Sequence, residues 1–143
     1  MSSRSRNLGQ IVQGIHIAQQ NLSMLINRTL DPMGLNMSRL TVLAHFSNQP
    51  NRCQTITSIT HAVDMNQPAV TKIVSYLISK GWLSTQSDSA DARKKLLKIS
   101  SEGLGLVIKA YGKLTPEIDQ VFASLSDQQV GELKQGLKEL NNG

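Results

Sequence analysis

The chain changes period at Gly81. Before it, Val70, Ile73, Val74 and Leu77 recur three and four residues apart, the spacing of one helix face. Asn66 stands where a helix N-cap belongs. Pro68 falls in the first turn, where its missing N–H leaves no bond unmade. Gly81 suits the left-handed residue just past a helix end. Beyond it, residues 82–86 and 95–99 form two short strand-like runs, the second with Leu97 and Ile99 on one face. The spacer Ser87-Asp88-Ser89-Ala90-Asp91 is rich in turn formers. A short helix is thus predicted to run straight into a two-stranded hairpin.

The same reading extends outward in both directions. Residues 1–6 read as a loose, charged tail. After them Leu8, Ile11, Val12, Ile15, Leu22, Leu25, Ile26 and Leu30 keep helical spacing over about six turns. Asp31-Pro32-Met33-Gly34 ends that run, because proline cannot continue the backbone ladder and glycine permits a turn. Asn36 is placed to cap a second helix carrying Leu40, Leu43, Ala44 and Phe46. After a loop at residues 48–52, Thr55 is placed to cap a third, carrying Ile56, Ile59 and Val63. Ser100 is expected to cap a long helix whose apolar residues run from Leu104 to Leu125, kinked at Pro116. Ser126-Asp127-Gln128-Gln129 has the form of a capping box opening a last helix with Val130, Leu133, Leu137 and Leu140.

The predicted order is α-α-α-α-β-β-α-α: mainly α with a small β-hairpin, in one domain over residues 1–143. The α-α-β-β at its centre, residues 36–99, is the pattern of a winged helix-turn-helix. In that fold the helix serves the major groove of DNA, and the hairpin, or wing, serves the backbone and minor groove. The flanking helices, at 7–31 and 100–141, carry more apolar stripe than one such unit can cover. Exposed apolar surface of that extent marks a partner, and the simplest is a second copy related by a two-fold axis. Leu8, Ile11, Ile15, Leu133 and Leu137 are the expected dimer contacts.

Fifteen lysines and arginines against ten acidic residues give a net charge of +5, which suits a polyanionic partner but decides little alone. Aromatic residues make up only 3% of the chain, which argues against a base-stacking platform for single strands. The single cysteine, Cys53, leaves no intrachain disulfide and no sign of secretion. No stretch reaches the ~20 apolar residues of a membrane span. The basic Met1-Ser2-Ser3-Arg4-Ser5-Arg6 lacks the apolar core of a signal peptide. A cytoplasmic protein without membrane contact is expected.

On the helix after Asn66, the residues Gln67, Pro68, Thr71, Lys72 and Ser75 lie off the Val70–Val74–Leu77 stripe. Gln67 suits an adenine edge, Thr71 a thymine methyl or a phosphate, and Lys72 a phosphate or guanine. Alone, the same face would pass for an ordinary solvated one. The hairpin shifts the balance. Arg93, Lys94, Lys95 and Lys98 cluster on or beside it, and arginine at a hairpin tip suits a narrow minor groove. Asp91 is placed to pair with Arg93 and hold its guanidinium. Double-stranded DNA is the expected partner.

With these segments in place, the chain resembles the MarR family of bacterial transcriptional regulators over about residues 8–140. The resemblance rests on Gln67-Pro68-Ala69-Val70-Thr71-Lys72, on Leu77 through Lys80-Gly81-Trp82-Leu83, and on Asp91-Ala92-Arg93 through Ile99-Ser100-Ser101-Glu102-Gly103. It implies a cytoplasmic homodimer that binds pseudo-palindromic operators and is joined through its terminal helices. Gln67, Pro68, Thr71, Lys72 and Ser75 would then be the recognition-helix residues, and Asp91, Arg93 and Lys94 those of the wing. Such proteins mostly repress nearby genes, and many release DNA when a small anionic or aromatic effector binds. The chain departs from the family at two points. Ser84-Thr85-Gln86 stands where arginines often follow, and Ala92 where a second basic residue is usual. These departures motivate an alternative, a winged-helix interaction or adaptor module with weak or lost DNA binding.

The sequence holds no glycine-rich phosphate loop, nucleophile motif, metalloprotease helix or isolated carboxylate pair, so neither an enzyme nor a cofactor is expected. Cys53, beside Arg52, is a candidate redox sensor. With no second cysteine to resolve it, a small residue at a loop edge is the plainer reading. His16, His45 and His61 fall on three different predicted helices without close cysteine or carboxylate, which argues against a metal site. Met33, Met37 and Met65 read as core or turn filling.

Overall fold

The computed structural model describes residues 1–91 and 93–142. Its elements are α1 (Ser3–Leu30), a 3-10 turn (Asp31–Met33), α2 (Met37–Ser47), α3 (Ile56–Ala62), α4 (Gln67–Ser79), β1 (Leu83–Ser87), β2 (Lys95–Ile99), α5 (Ser101–Val121) and α6 (Asp127–Asn142). The order is the predicted one, and the fold is a winged helix-turn-helix flanked by terminal helices. Two compact units divide the chain, Met1–Ala110 and Tyr111–Gly143.

The expected loose tail at residues 1–6 is instead the first turn of α1. Ser2 caps it, its Oγ accepting from the Ser5 N–H at 3.1 Å. A cap and helix-compatible residues suffice to start a helix; the apolar stripe that begins at Leu8 shows only where a buried face would start. At 28 residues α1 is about 42 Å long. It ends as expected: Pro32 sits in the 3-10 turn and Gly34 adopts the left-handed conformation, φ +74°.

Three predicted caps are in place. Asn36 Oδ1 accepts from Arg39 N at 2.8 Å, Thr55 Oγ1 from Ser58 N at 3.1 Å, and Asn66 Oδ1 from Ala69 N at 2.9 Å. Leu40, Leu43 and Phe46 of α2, Ile59 of α3, and Val70, Val74 and Leu77 of α4 are buried and form the centre of the first unit. Ala44, Ile56 and Ile73 are only half-buried, while Val42, outside the predicted stripe, is fully buried.

The strands pair antiparallel, Leu83 opposite Ile99 and Ser87 opposite Lys95. β2 is the predicted strand. β1 begins one residue later than expected, because Trp82 belongs to the helix exit. The Trp82 N–H donates to Leu77 O at 3.0 Å and the Gly81 N–H to Ile78 O at 2.9 Å, with Gly81 at φ +77°. These bonds close the end of α4 in the manner of a left-handed C-cap. The segment before α3 also enters the sheet. Gln54 N donates to Leu97 O at 2.8 Å and Leu97 N to Gln54 O at 2.7 Å, so Gln54 pairs along the free edge of β2.

The start of α5 is fastened to the hairpin. Ser100 Oγ accepts from Gly103 N at 3.0 Å and donates to Gly81 O at 2.6 Å. Gly103 is buried, and a Cβ there would collide with the Trp82 carbonyl, so this turn of helix requires glycine.

In the second unit α5 continues through Pro116 to Val121, so Phe122 and Leu125 lie in the connection and not in the helix. The predicted capping box is formed: Gln129 N donates to Ser126 Oγ at 3.1 Å, and Ser126 N to Gln129 Oε1 at 2.9 Å. Every residue of α6 is exposed. Among the described residues no helix is long and apolar enough to cross a membrane.

Candidate nucleic-acid interface

α4 turns its apolar side inward at Val70, Val74 and Leu77, so Gln67, Pro68, Thr71, Lys72 and Ser75 are all exposed. The five predicted residues therefore share the outer surface of one helix. Their backbone is held by the Asn66 cap and the Gly81 exit at either end. Ser79, at the end of the helix, turns back and donates to Tyr76 O at 2.6 Å.

The hairpin turn is built from its own acidic residues. Asp88 N donates to Lys94 O at 3.2 Å, and Asp88 Oδ1 accepts from Ala90 N at 2.9 Å. Asp91 Oδ1 accepts from both the backbone N–H and the Nε of Arg93, at 3.0 and 3.3 Å. The pairing expected of Asp91 is present, with the Arg93 side chain 93% exposed. An ion pair so open to water adds at most about 1 kcal/mol to stability. Its effect is to direct the guanidinium while leaving its remaining N–H groups free. Ala92, the second departure from the family pattern, lies outside the described residues.

Between α4, α3 and the wing runs a groove of about 660 Å³. Thr71, Ser75 and Ile78 line it from α4, and Arg93, Lys94 and Lys95 from the hairpin; among the described residues no carboxylate lines it. Three cations thus share one groove with the hydroxyls of Thr55, Thr57, Thr71, Ser75 and Thr85, a setting that favours an anion. Gln67, Pro68 and Lys72 do not line it. Nor does Lys98, which was expected to join the other three cations. It faces a second groove, of about 350 Å³, with Ser84, Gln86 and Asn51 on the opposite side of the hairpin. The cause is the pleat: residues 95 and 98 are an odd number apart along one strand and emerge on opposite faces. Ser84, Thr85 and Gln86 are exposed, so the position where family members often carry arginine presents only hydroxyls and an amide here.

Sequence reasoning missed two contributors to this geometry. Gln54, buried at 4% exposure, joins the α2–α3 connection to β2, and its Oε1 accepts from His45 Nε2 at 2.9 Å. A lone bridge residue leaves no alternating pattern to find. Arg39 and Tyr76 meet beside α4, the Tyr76 hydroxyl donating to Gly34 O at 2.7 Å. Their separation in the chain hid that contact.

Cys53 is half-buried, its Sγ 3.5 Å from Gln86 Oε1, and Arg52 donates to Gln49 Oε1 at 3.0 Å. His16 and His61 are exposed, and no group of three potential metal ligands occurs among the described residues. At the chain ends, Leu8, Ile11 and Ile15 are 40–53% exposed on α1, and Leu133 and Leu137 are 44% and 38% exposed on α6.

No family model matches the chain. The multiple antibiotic resistance protein MarR of Escherichia coli is 23% identical to it over 127 residues, 88% of this chain and 87% of the relative. A mutant form of the same MarR, crystallised with operator DNA, superposes with a TM-score of 0.81 at 21% identity, over 97% of this chain and 99% of the other. The organohalide-sensing regulator RdhR, in its 2,4-dichlorophenol-bound form, superposes with a TM-score of 0.84 at 18% identity, over 94% of this chain and 79% of the other. At these identities the superpositions establish the fold.

Proposed function

We infer that this chain, a MarR-family protein by fold and by sequence likeness over most of its length, is a DNA-binding transcriptional regulator. One observation carries the reading. Gln67, Thr71, Lys72 and Ser75 emerge together from the outer surface of α4, and Arg93 and Lys94 stand on the wing across a groove lined, among the described residues, by no carboxylate. Short polar groups at i, i+4 spacing suit base edges, and the wing cations suit phosphates or a narrow minor groove. The likeness to an operator-bound MarR supports the same assignment.

The finer reading is a homodimeric, cytoplasmic repressor rather than an enzyme. The exposed stripes of α1 and α6, with Leu8, Ile11, Ile15, Leu133 and Leu137, are the surfaces a second copy would cover. Two copies would set two α4 helices into successive major grooves about 34 Å apart on a pseudo-palindromic operator. A small anionic or aromatic effector fits as the release signal. The groove beside Thr71 and Arg93 lies within the ~300–1,000 Å³ range of small-molecule sites and is cationic. A ligand that prefers a spacing of helices unsuited to DNA would shift the population away from the bound form. The dichlorophenol-bound state of RdhR is a parallel in a relative of the same fold.

The exposed Ser84-Thr85-Gln86 favours the second reading, an adaptor with weak or lost DNA affinity. Titration with a duplex carrying the region upstream of its own gene separates the two. Saturable, sequence-dependent binding at about physiological salt is expected of the regulator. Diffuse binding confined to low salt would leave only the adaptor.

A further inference from the structure

Tyr76 stands one turn before the end of α4 and is engaged on several sides. Its hydroxyl donates to Gly34 O at 2.7 Å. The Arg39 guanidinium carbon lies 3.6 Å from the centre of its ring, and Arg39 Nη1 donates to the same Gly34 carbonyl at 3.4 Å. Trp82 meets the ring edge-on at 6.1 Å. A single backbone carbonyl thus receives two side-chain donors from different helices. That carbonyl belongs to the turn that ends α1. A Cβ at Gly34 would stand 3.1 Å from the Tyr76 hydroxyl and 3.2 Å from the Trp82 ring, so the turn is fitted closely to both side chains.

Burial of Val70, Val74 and Leu77 already keeps α4 in the fold. Apolar burial is non-directional, and it restrains the rotation of a helix about its own axis less sharply than directional contacts do. The hydrogen bond and the stacked guanidinium are directional. A roll of about 10° would move a side-chain tip some 5–6 Å from the helix axis by about 1 Å. A base-edge hydrogen bond does not survive a displacement of that size. Lys72 lies one turn before Tyr76 and Ser75 is its neighbour, so the contacts at Tyr76 fix residues on the candidate reading face.

We propose that Arg39, Tyr76 and the Gly34 carbonyl form a positioning lock that sets the roll of α4 and so governs sequence discrimination, without either side chain touching DNA. The proposal rests on α4 being the recognition helix. Because the lock joins α4 to the turn at the end of α1, it also makes the reading face follow the direction in which α1 leaves.

The test uses the full-length protein and two duplexes, one selected from a random pool by the wild type and the other its scrambled sequence. Tyr76→Phe removes only the hydroxyl. Arg39→Lys keeps the charge but loses the planar stack and the fork of donors. In each variant the ratio of affinities for the two duplexes is expected to fall about threefold to tenfold, as loss of one hydrogen bond implies. Affinity for the scrambled duplex and the dependence of binding on salt should stay at wild-type values. Melting temperatures near wild type verify the fold, and either variant alone decides the question if the other fails to fold. An unchanged ratio overturns the lock while leaving the DNA-binding reading intact. Equal loss of affinity for both duplexes, or a shallower salt dependence in Tyr76→Phe, also overturns it, because it would mark a direct backbone contact. A wild type that selects no sequence removes the DNA-binding reading itself, and the lock with it.

Discussion

α4 and the wing form the two halves of the proposed DNA face, and they are held in different ways. α4 is fixed by burial of Val70, Val74 and Leu77, by a cap at Asn66, and by the hydroxyl of Tyr76. The strands of the wing are anchored at their base by Leu83, Leu97 and Ile99, with Gln54 paired along one edge. Its turn beyond Ser87 hangs on exposed hydrogen bonds accepted by the Asp88 and Asp91 carboxylates. The difference matches what each half would have to do. Base reading fails within about an ångström of misplacement, because hydrogen-bond geometry is steep. Attraction between a cation and a phosphate falls only as the inverse of distance, so a looser support suffices for Arg93 and Lys94. Rigid elements would read and adjustable ones would hold.

The largest effect is expected where the rigid half is anchored. Leu77 is fully buried, so Leu77→Ala should cost about 2–5 kcal/mol of stability, read as a lower midpoint in urea unfolding. A cost well under 1 kcal/mol would mean that α4 is not packed as described. Arg93→Ala should act in the opposite sense, on binding and not on folding. The side chain is 93% exposed, so stability should move by less than about 0.5 kcal/mol. DNA affinity should fall, and the slope of log K against log salt should become shallower by about 0.9, the value of one phosphate contact. A salt titration with an unchanged slope would remove the wing tip from the DNA face.

How much of this was legible in the sequence depended on the range of the interaction. Capping is written within four residues, and Asn36, Thr55, Asn66, Ser100 and Ser126 all stand at their predicted positions. The Asp91–Arg93 contact spans two residues and was equally visible. The exit from α4 was legible only in part. Gly81 announced the left-handed turn, but nothing local shows that Trp82 bonds back to Leu77 before the strand begins. The first turn of α1 was missed because residues 1–6 carry no apolar period, although Ser2 was a legible cap. Contacts between distant residues left no trace. Gln54 pairs with Leu97, and Tyr76 with Gly34 forty-two positions away. Each joins elements whose proximity is a property of the whole fold. The candidate DNA residues could be nominated because they occupy two short segments, and the long-range contacts that support those segments could not.

The smallest effect, and the one that most sharpens the contrast, lies at Asp91. Its carboxylate sits on the face proposed to meet phosphates, where by charge alone it repels DNA. It also accepts from both the backbone and the side chain of Arg93. The two roles oppose each other, and a double-mutant cycle separates them. In the wild-type background, Asp91→Ala should weaken binding a few-fold, because Arg93 loses the acceptor that directs it. In the Arg93→Ala background there is no guanidinium to direct, so the same substitution should strengthen binding by removing a negative charge. Stability should change by less than about 1 kcal/mol throughout, since the pair is open to water. Strengthened binding in both backgrounds would show that Asp91 only repels, and the wing tip would then need no positioned arginine to do its part.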